Sequence, residues 1–139
     1  MSQSIKIKAL NVEDDEIQYD VIISNGITTS CLDFYAYFDE FVDFGNSLKI
    51  FPKNINDVVL YELGEQNPKW AYFMQLKTYC YQSNGYCAID VIIDNHGTRP
   101  YENKVTFSIT TLPASINKLG EVLSSWNPKI DKEIEWVAE

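Results

Sequence analysis

The chain has 139 residues, 45% of them hydrophobic and 14% aromatic, and carries a net charge of −9 from 20 acidic against 11 basic side chains. This length suits a single domain with one core, and the apolar share is too high for a disordered segment. The acidic balance repels a phosphate backbone and disfavours nucleic acid as a partner; the same field speeds the approach of a basic protein, or simply keeps a domain dissolved.

The start, Met1-Ser2-Gln3-Ser4-Ile5-Lys6, shows no basic segment leading into an apolar run, so no secretory leader is expected. No stretch approaches the roughly 20 apolar residues that span a bilayer, so no membrane partner is expected either. Three irregularly spaced cysteines, Cys31, Cys80 and Cys87, fit a reducing compartment better than a disulfide framework. The expected location is cytoplasmic.

Ile5, Ile7 and Ala9 alternate with Lys6 and Lys8, the period of a strand with one buried face. A carboxylate-rich turn, Asn11 to Glu16, separates it from a second alternating run, Ile17, Tyr19, Val21 and Ile23, which stops at Ser24-Asn25-Gly26. Thr28 to Tyr37 reads as a third strand, with Leu32, Phe34 and Ala36 on one side and Cys31, Asp33, Tyr35 and Tyr37 on the other. The spacing then changes. Phe38, Phe41, Phe44 and Leu48 recur at three- and four-residue steps, predicting an amphipathic helix from about Tyr37 to Leu48 whose aromatic stripe packs on the sheet.

Val58 to Leu63 is a fourth strand, and Gly64 to Lys69 a loop. Ala71 to Tyr81 and Tyr86 to Asp94 form a hairpin through Gln82-Ser83-Asn84-Gly85, with Asn84-Gly85 as a two-residue turn. That parity puts Met74, Leu76, Thr78 and Cys80 on one face with Cys87, Ile89, Val91 and Ile93, and sets Cys80 and Cys87 diagonally across the turn. After a loop around His96-Gly97, Val105 to Thr110 alternates as a strand. Pro113 opens a helix with the stripe Ile116, Leu119, Val122, Leu123 and Trp126, which Asn127-Pro128 stops. Ile134, Trp136 and Ala138 suggest a last short strand.

The order β-β-β-α-β-β-β-β-α-β, with turns too short for parallel crossovers, predicts an α+β domain: a curved, mainly antiparallel sheet with two amphipathic helices on one face.

Catalytic and cofactor motifs are missing from the sequence. His96 is the single histidine, so paired-histidine zinc sites are impossible within one chain, and no nucleophile elbow accompanies it; an exposed loop histidine is expected. The six glycines are scattered singly, and neither the P-loop nor the dinucleotide fingerprint can be written. Glu13-Asp14-Asp15-Glu16 lacks the Gly and downstream Glu of a calcium loop and reads as a solvated turn. No catalytic residue, metal or cofactor is expected.

The hairpin with Gly85 leading into Ala88-Ile89-Asp90-Val91, the strand Thr106-Phe107-Ser108-Ile109, and the helix carrying Leu119 and Leu123 resemble the WapI-type group of small bacterial immunity proteins. Leu32-Asp33-Phe34 followed by Phe38 to Leu48 is similar to that group's strand leading into a helix. Where the group usually has His after the turn Gly, this chain has Tyr86. The resemblance implies a protein that binds and neutralises a cognate toxin without catalysis. An acidic inhibitor suits a basic toxin domain, and the candidate contact residues are Glu13, Asp14, Asp15, Glu16, Asp39, Glu40 and Asp43. The alternative is a general interaction or small-ligand module presenting Tyr79, Tyr81 and Tyr35 as an aromatic surface. An enzyme built on carboxylates or His96 ranks last.

Overall fold

The computed structural model describes residues 2–139. Its elements run β1 (Gln3–Glu13), β2 (Glu16–Asn25), β3 (Thr29–Tyr37), α1 (Val42–Lys49), β4 (Val58–Gly64), β5 (Phe73–Cys80), β6 (Cys87–Asp94), β7 (Lys104–Thr111), α2 (Pro113–Ser125) and β8 (Glu133–Val137). This is the expected order, and the fold is α+β with antiparallel pairing throughout.

The strands divide between two sheets instead of forming one. The first is ordered β3-β2-β1-β8 and the second β4-β5-β6-β7. Alternation tells which face of a strand is buried but not which sheet it joins. Here α1 interrupts the run of hairpins, and the chain returns to the first sheet only at its end, where β8 lies beside β1. The inward residues of both sheets, among them Ile7, Tyr19, Phe34, Leu76, Ile89 and Ile109, belong to one contiguous core. β2 approaches β7, and β3 approaches β6. Gln3 ties the sheets directly: its side-chain amide donates to the Thr110 carbonyl and accepts from the Thr110 amide, both at 3.0 Å, occupying backbone groups on the free edge of β7.

β1 runs four residues beyond Ala9 because of a bulge. Ala9 pairs with Tyr19 and Asn11 with Gln18, leaving Leu10 as the extra residue, which inverts the alternation so that Asn11 and Glu13 now face outward. α1 is shorter than expected. Phe38 to Phe41 form a turn ahead of it, and Phe38 is exposed, lying under the Lys129 ammonium (4.7 Å to the ring centre) rather than in the core. In the β5–β6 hairpin Tyr81 N–H bonds the Tyr86 carbonyl, so four residues, not two, form the turn. The register still pairs Thr78 with Ile89 and Leu76 with Val91, because both loop lengths are even.

The helices pack on one another through Gly45 and Gly120. Asn117 of α2 donates its side-chain amide to the carbonyls of Leu48 (2.9 Å), Lys49 (3.2 Å) and Phe51 (2.7 Å), satisfying groups that the end of α1 leaves open. α1 reaches the second sheet through Phe44 on Tyr61 of β4, and α2 reaches the first through Trp136 Nε1, which donates to the Ser115 carbonyl. Among the described residues, no helix is long and apolar enough to cross a membrane.

Candidate partner-binding site

The outer face of the β3-β2-β1-β8 sheet carries Glu13, Glu16 and Tyr35 of the residues singled out above, and the register states what each of them meets. Tyr37, Glu16 and Glu13 lie in one row across β3, β2 and β1; Tyr35, Gln18 and Asn11 form the next; Asp33, Asp20 and Lys8 the third, which continues to Glu133 of β8. Two same-sign pairs, Glu13 with Glu16 and Asp20 with Asp33, therefore stand directly opposite one another. Like charges in such positions destabilise a strand pair. Between the two acidic rows Tyr35 is 57% exposed, and beside them Tyr37 is 67% exposed. Asn11, Glu13, Glu16 and Tyr35 line a shallow cavity of about 120 Å³.

Asp14 and Asp15 form the tip of the β1–β2 turn, with Asp14 in the left-handed region at φ 53°. Asp15 pairs with Lys129, whose ammonium also covers Phe38. This lysine joins the turn to the segment after Tyr37, so Asp39, exposed there, lies at the same end of the sheet as Glu16. Asp43 is exposed in the first turn of α1, where a carboxylate complements the positive end of the helix dipole.

Glu40 departs from the expectation of a free surface charge. Its carboxylate turns inward, is half-buried, and accepts a hydrogen bond from the Tyr61 hydroxyl at 2.9 Å. Burial pushes its pKa up, the Tyr61 hydrogen bond pulls it down, and neighbouring Asp39 adds to the rise. Tyr61 is pushed far above its ordinary value by burial and then by Glu40; Tyr19 is raised by burial and by Glu40, and Tyr72 likewise. These shifts keep all three phenols protonated, and of the three Tyr61 donates to Glu40. Tyr19 spends its proton on the Tyr37 carbonyl at 2.7 Å, fixing the end of β3.

His96 is not an exposed loop residue. Its side chain is only 5% exposed. Nδ1 lies 2.7 Å from the Trp70 carbonyl, which can only accept, so Nδ1 carries the proton. Nε2 is buried 3.5 Å from an Asp94 carboxylate oxygen, and the His96 backbone N–H donates to the other oxygen of that group at 2.9 Å. This arrangement ties the loop before β5 to the loop after β6. The proposed tyrosine surface is also divided: Tyr35 belongs to the first sheet and Tyr79 to the second, where its hydroxyl is held by Asp90 at 3.1 Å. Among the described residues, no three of His, Cys, Asp and Glu gather where they could hold one metal ion.

The chain matches no protein-family model, no curated protein and no solved structure.

Sequence reasoning missed Asp20, Asp33, Tyr37 and Lys129 as members of this surface. Asp20 and Asp33 are isolated charges in otherwise ordinary strands, and only the pairing makes them neighbours. A signal existed: counting outward from the Ser24-Asn25-Gly26 turn with Ser24 opposite Thr29 puts Asp20 opposite Asp33 and Glu16 opposite Tyr37. Lys129 has no such signal, since more than a hundred residues of chain separate it from Asp15.

Proposed function

We propose that this chain is a protein-binding immunity protein, which neutralises a cognate bacterial toxin by forming a stoichiometric complex in the cytoplasm. The observation that carries the reading is the pair of like-charge contacts, Glu13 with Glu16 and Asp20 with Asp33, flanking exposed Tyr35 on one sheet face. The Glu13–Glu16 pair costs the free protein stability, on the order of a few tenths of a kcal/mol, and Asp20–Asp33 costs less because Lys8 stands opposite Asp20 on its other side. A basic partner relieves that repulsion on binding, while the tyrosines supply rigid apolar contact area with a polar tip. The net charge of −9 adds long-range attraction for a cationic surface. The resemblance to the WapI-type group points the same way, and neutralisation by binding needs no catalytic residue, metal or cofactor.

The proposal expects a toxin gene beside this one, and the test is co-expression with it. Restored growth together with a complex that co-elutes at equal stoichiometry supports the proposal; no rescue and no complex sinks it.

A second reading, a small-ligand module, rests on a different place. Val122, Trp126, Ile130 and Ile134 line an open groove of about 510 Å³ between the end of α2 and β8. A melting temperature raised by a small molecule, with no response to any protein partner, would favour it.

A further inference from the structure

Cys80 and Cys87 close the β5–β6 hairpin as directly opposed residues, not diagonal ones. The next pair outward, Tyr81 and Tyr86, is joined by a backbone hydrogen bond, Tyr81 N–H to the Tyr86 carbonyl at 3.0 Å. Hydrogen-bonded and non-hydrogen-bonded pairs alternate along an antiparallel ladder, so Cys80 and Cys87 occupy a non-hydrogen-bonded pair, where Cα atoms stand about 4.5 Å apart and side chains come closest. That spacing lies inside the range a disulfide spans. Both thiols point to the same face of the sheet. They differ in access: Cys87 is fully buried and donates its Sγ–H to the Gly85 carbonyl at 3.1 Å, whereas Cys80 is half-buried at the rim of the core.

We propose that Cys80 and Cys87 form a dithiol modification site, which a low-molecular-weight disulfide oxidises to a cross-strand disulfide, Cys80 attacking first and Cys87 resolving. The Cys80 thiol loses its proton and its sulfur attacks one sulfur of the small disulfide. That S–S bond breaks, one small thiolate leaves and takes up a proton, and Cys80 holds a mixed disulfide. Cys87 then loses its proton and attacks the Cys80 sulfur, expelling the second small thiolate, which is protonated in turn. The protein loses two electrons and two protons; the small disulfide gains them as two thiols.

Cys87 is the slower partner, since it is fully buried and its Sγ–H is held by the Gly85 carbonyl. Burial also pushes its thiol up to about 12 in the reduced pair, so closure quickens as pH rises. The modification is independent of the toxin-binding proposal, and lies on the other sheet.

The folded protein is incubated with oxidised glutathione at about pH 8.5, near the ordinary thiol value, and its free thiols are counted and mapped. The expected result is loss of both the Cys80 and the Cys87 thiol, a peptide linking Cys80 to Cys87 whether or not the exposed Cys31 also takes up glutathione, and reversal by a dithiol reductant. Cys87→Ala is expected to trap a lasting mixed disulfide on Cys80. Retention of both thiols in the native protein, a mixed disulfide on native Cys80 that never resolves, or modification confined to Cys31 overturns the proposal. Mapping of the native chain decides the matter even where the variant fails to fold.

Discussion

Gly45 of α1 and Gly120 of α2 meet with no side chain between them. A Cβ on Gly120 would lie 2.5 Å from the Lys49 nitrogen and 2.7 Å from the Gly45 carbonyl oxygen, and a Cβ on Gly45 would lie 2.5 Å from the Ser124 nitrogen. These neighbours are backbone and cannot swing aside. Gly120→Ala gains helix propensity of about 1 kcal/mol but forces the helices apart. The expected net loss is about 2 kcal/mol or more, read as a drop of roughly 5–10 °C in Tm. A Gly120→Ala protein as stable as the parent would contradict the close crossing.

Asn117 supports the same junction differently. Three carbonyl oxygens around its amide nitrogen leave it one role, that of donor to the end of α1. Asn117→Ala removes the donor and should cost about 1–2 kcal/mol in chemical denaturation. Asn117→Asp should cost more, because a carboxylate then faces carbonyl oxygens at the negative end of the helix. Equal losses for the two variants would show that packing, not hydrogen bonding, is what Asn117 provides.

Glu40 makes stability depend on pH. Its folded pKa is raised from an ordinary value of 4.5, chiefly by burial, so the folded state holds the proton more tightly than the unfolded chain. Its contribution is full below that ordinary value and is lost as pH rises through the raised folded value. Glu40→Gln keeps an oxygen for Tyr61 and removes the titration. Denaturation midpoints measured from pH 4 upward should fall less steeply in Glu40→Gln than in the parent, where pH 4 is about the lower edge of the carboxyl range. Identical slopes would remove Glu40 from the account.

The like-charge pairs predict an exchange between stability and binding. Asp33→Asn removes the repulsion opposite Asp20, and should raise stability by about 0.5 kcal/mol or less while weakening the complex. Both effects are measurable on one preparation, by denaturation and by calorimetric titration with the partner. Reduced stability in Asp33→Asn would show that the pair is already neutralised within the chain.

Strand periodicity made the order of elements legible, and even loop lengths preserved the faces of β5 and β6. The division into two sheets was not legible, because the residues that select a sheet are the ones paired across it and lie far apart in sequence. The bulge at Leu10 hid the end of β1 by inverting its alternation. Phe38 was counted into the helical stripe because an apolar residue at helical spacing looks the same whether it meets the core or a lysine. Of the proposed contact residues, Glu13, Asp14, Asp15, Glu16 and Asp39 gather at one end of the first sheet, and Glu40 turns inward because Tyr61, more than twenty residues away, offers it a hydrogen bond. The backbone contact of Gly45 with Gly120 left no trace beyond two glycines in helical segments.

The rate at which the protein associates with the inactivated neighbouring toxin, followed across ionic strength, tests the acidic sheet face most directly. With Glu13→Lys, Glu16→Lys and Asp33→Lys combined, association should slow by about 10- to 100-fold at low salt and approach the parent rate as salt screens both. A rate unchanged by the three reversals at every ionic strength would place the interface elsewhere on the molecule.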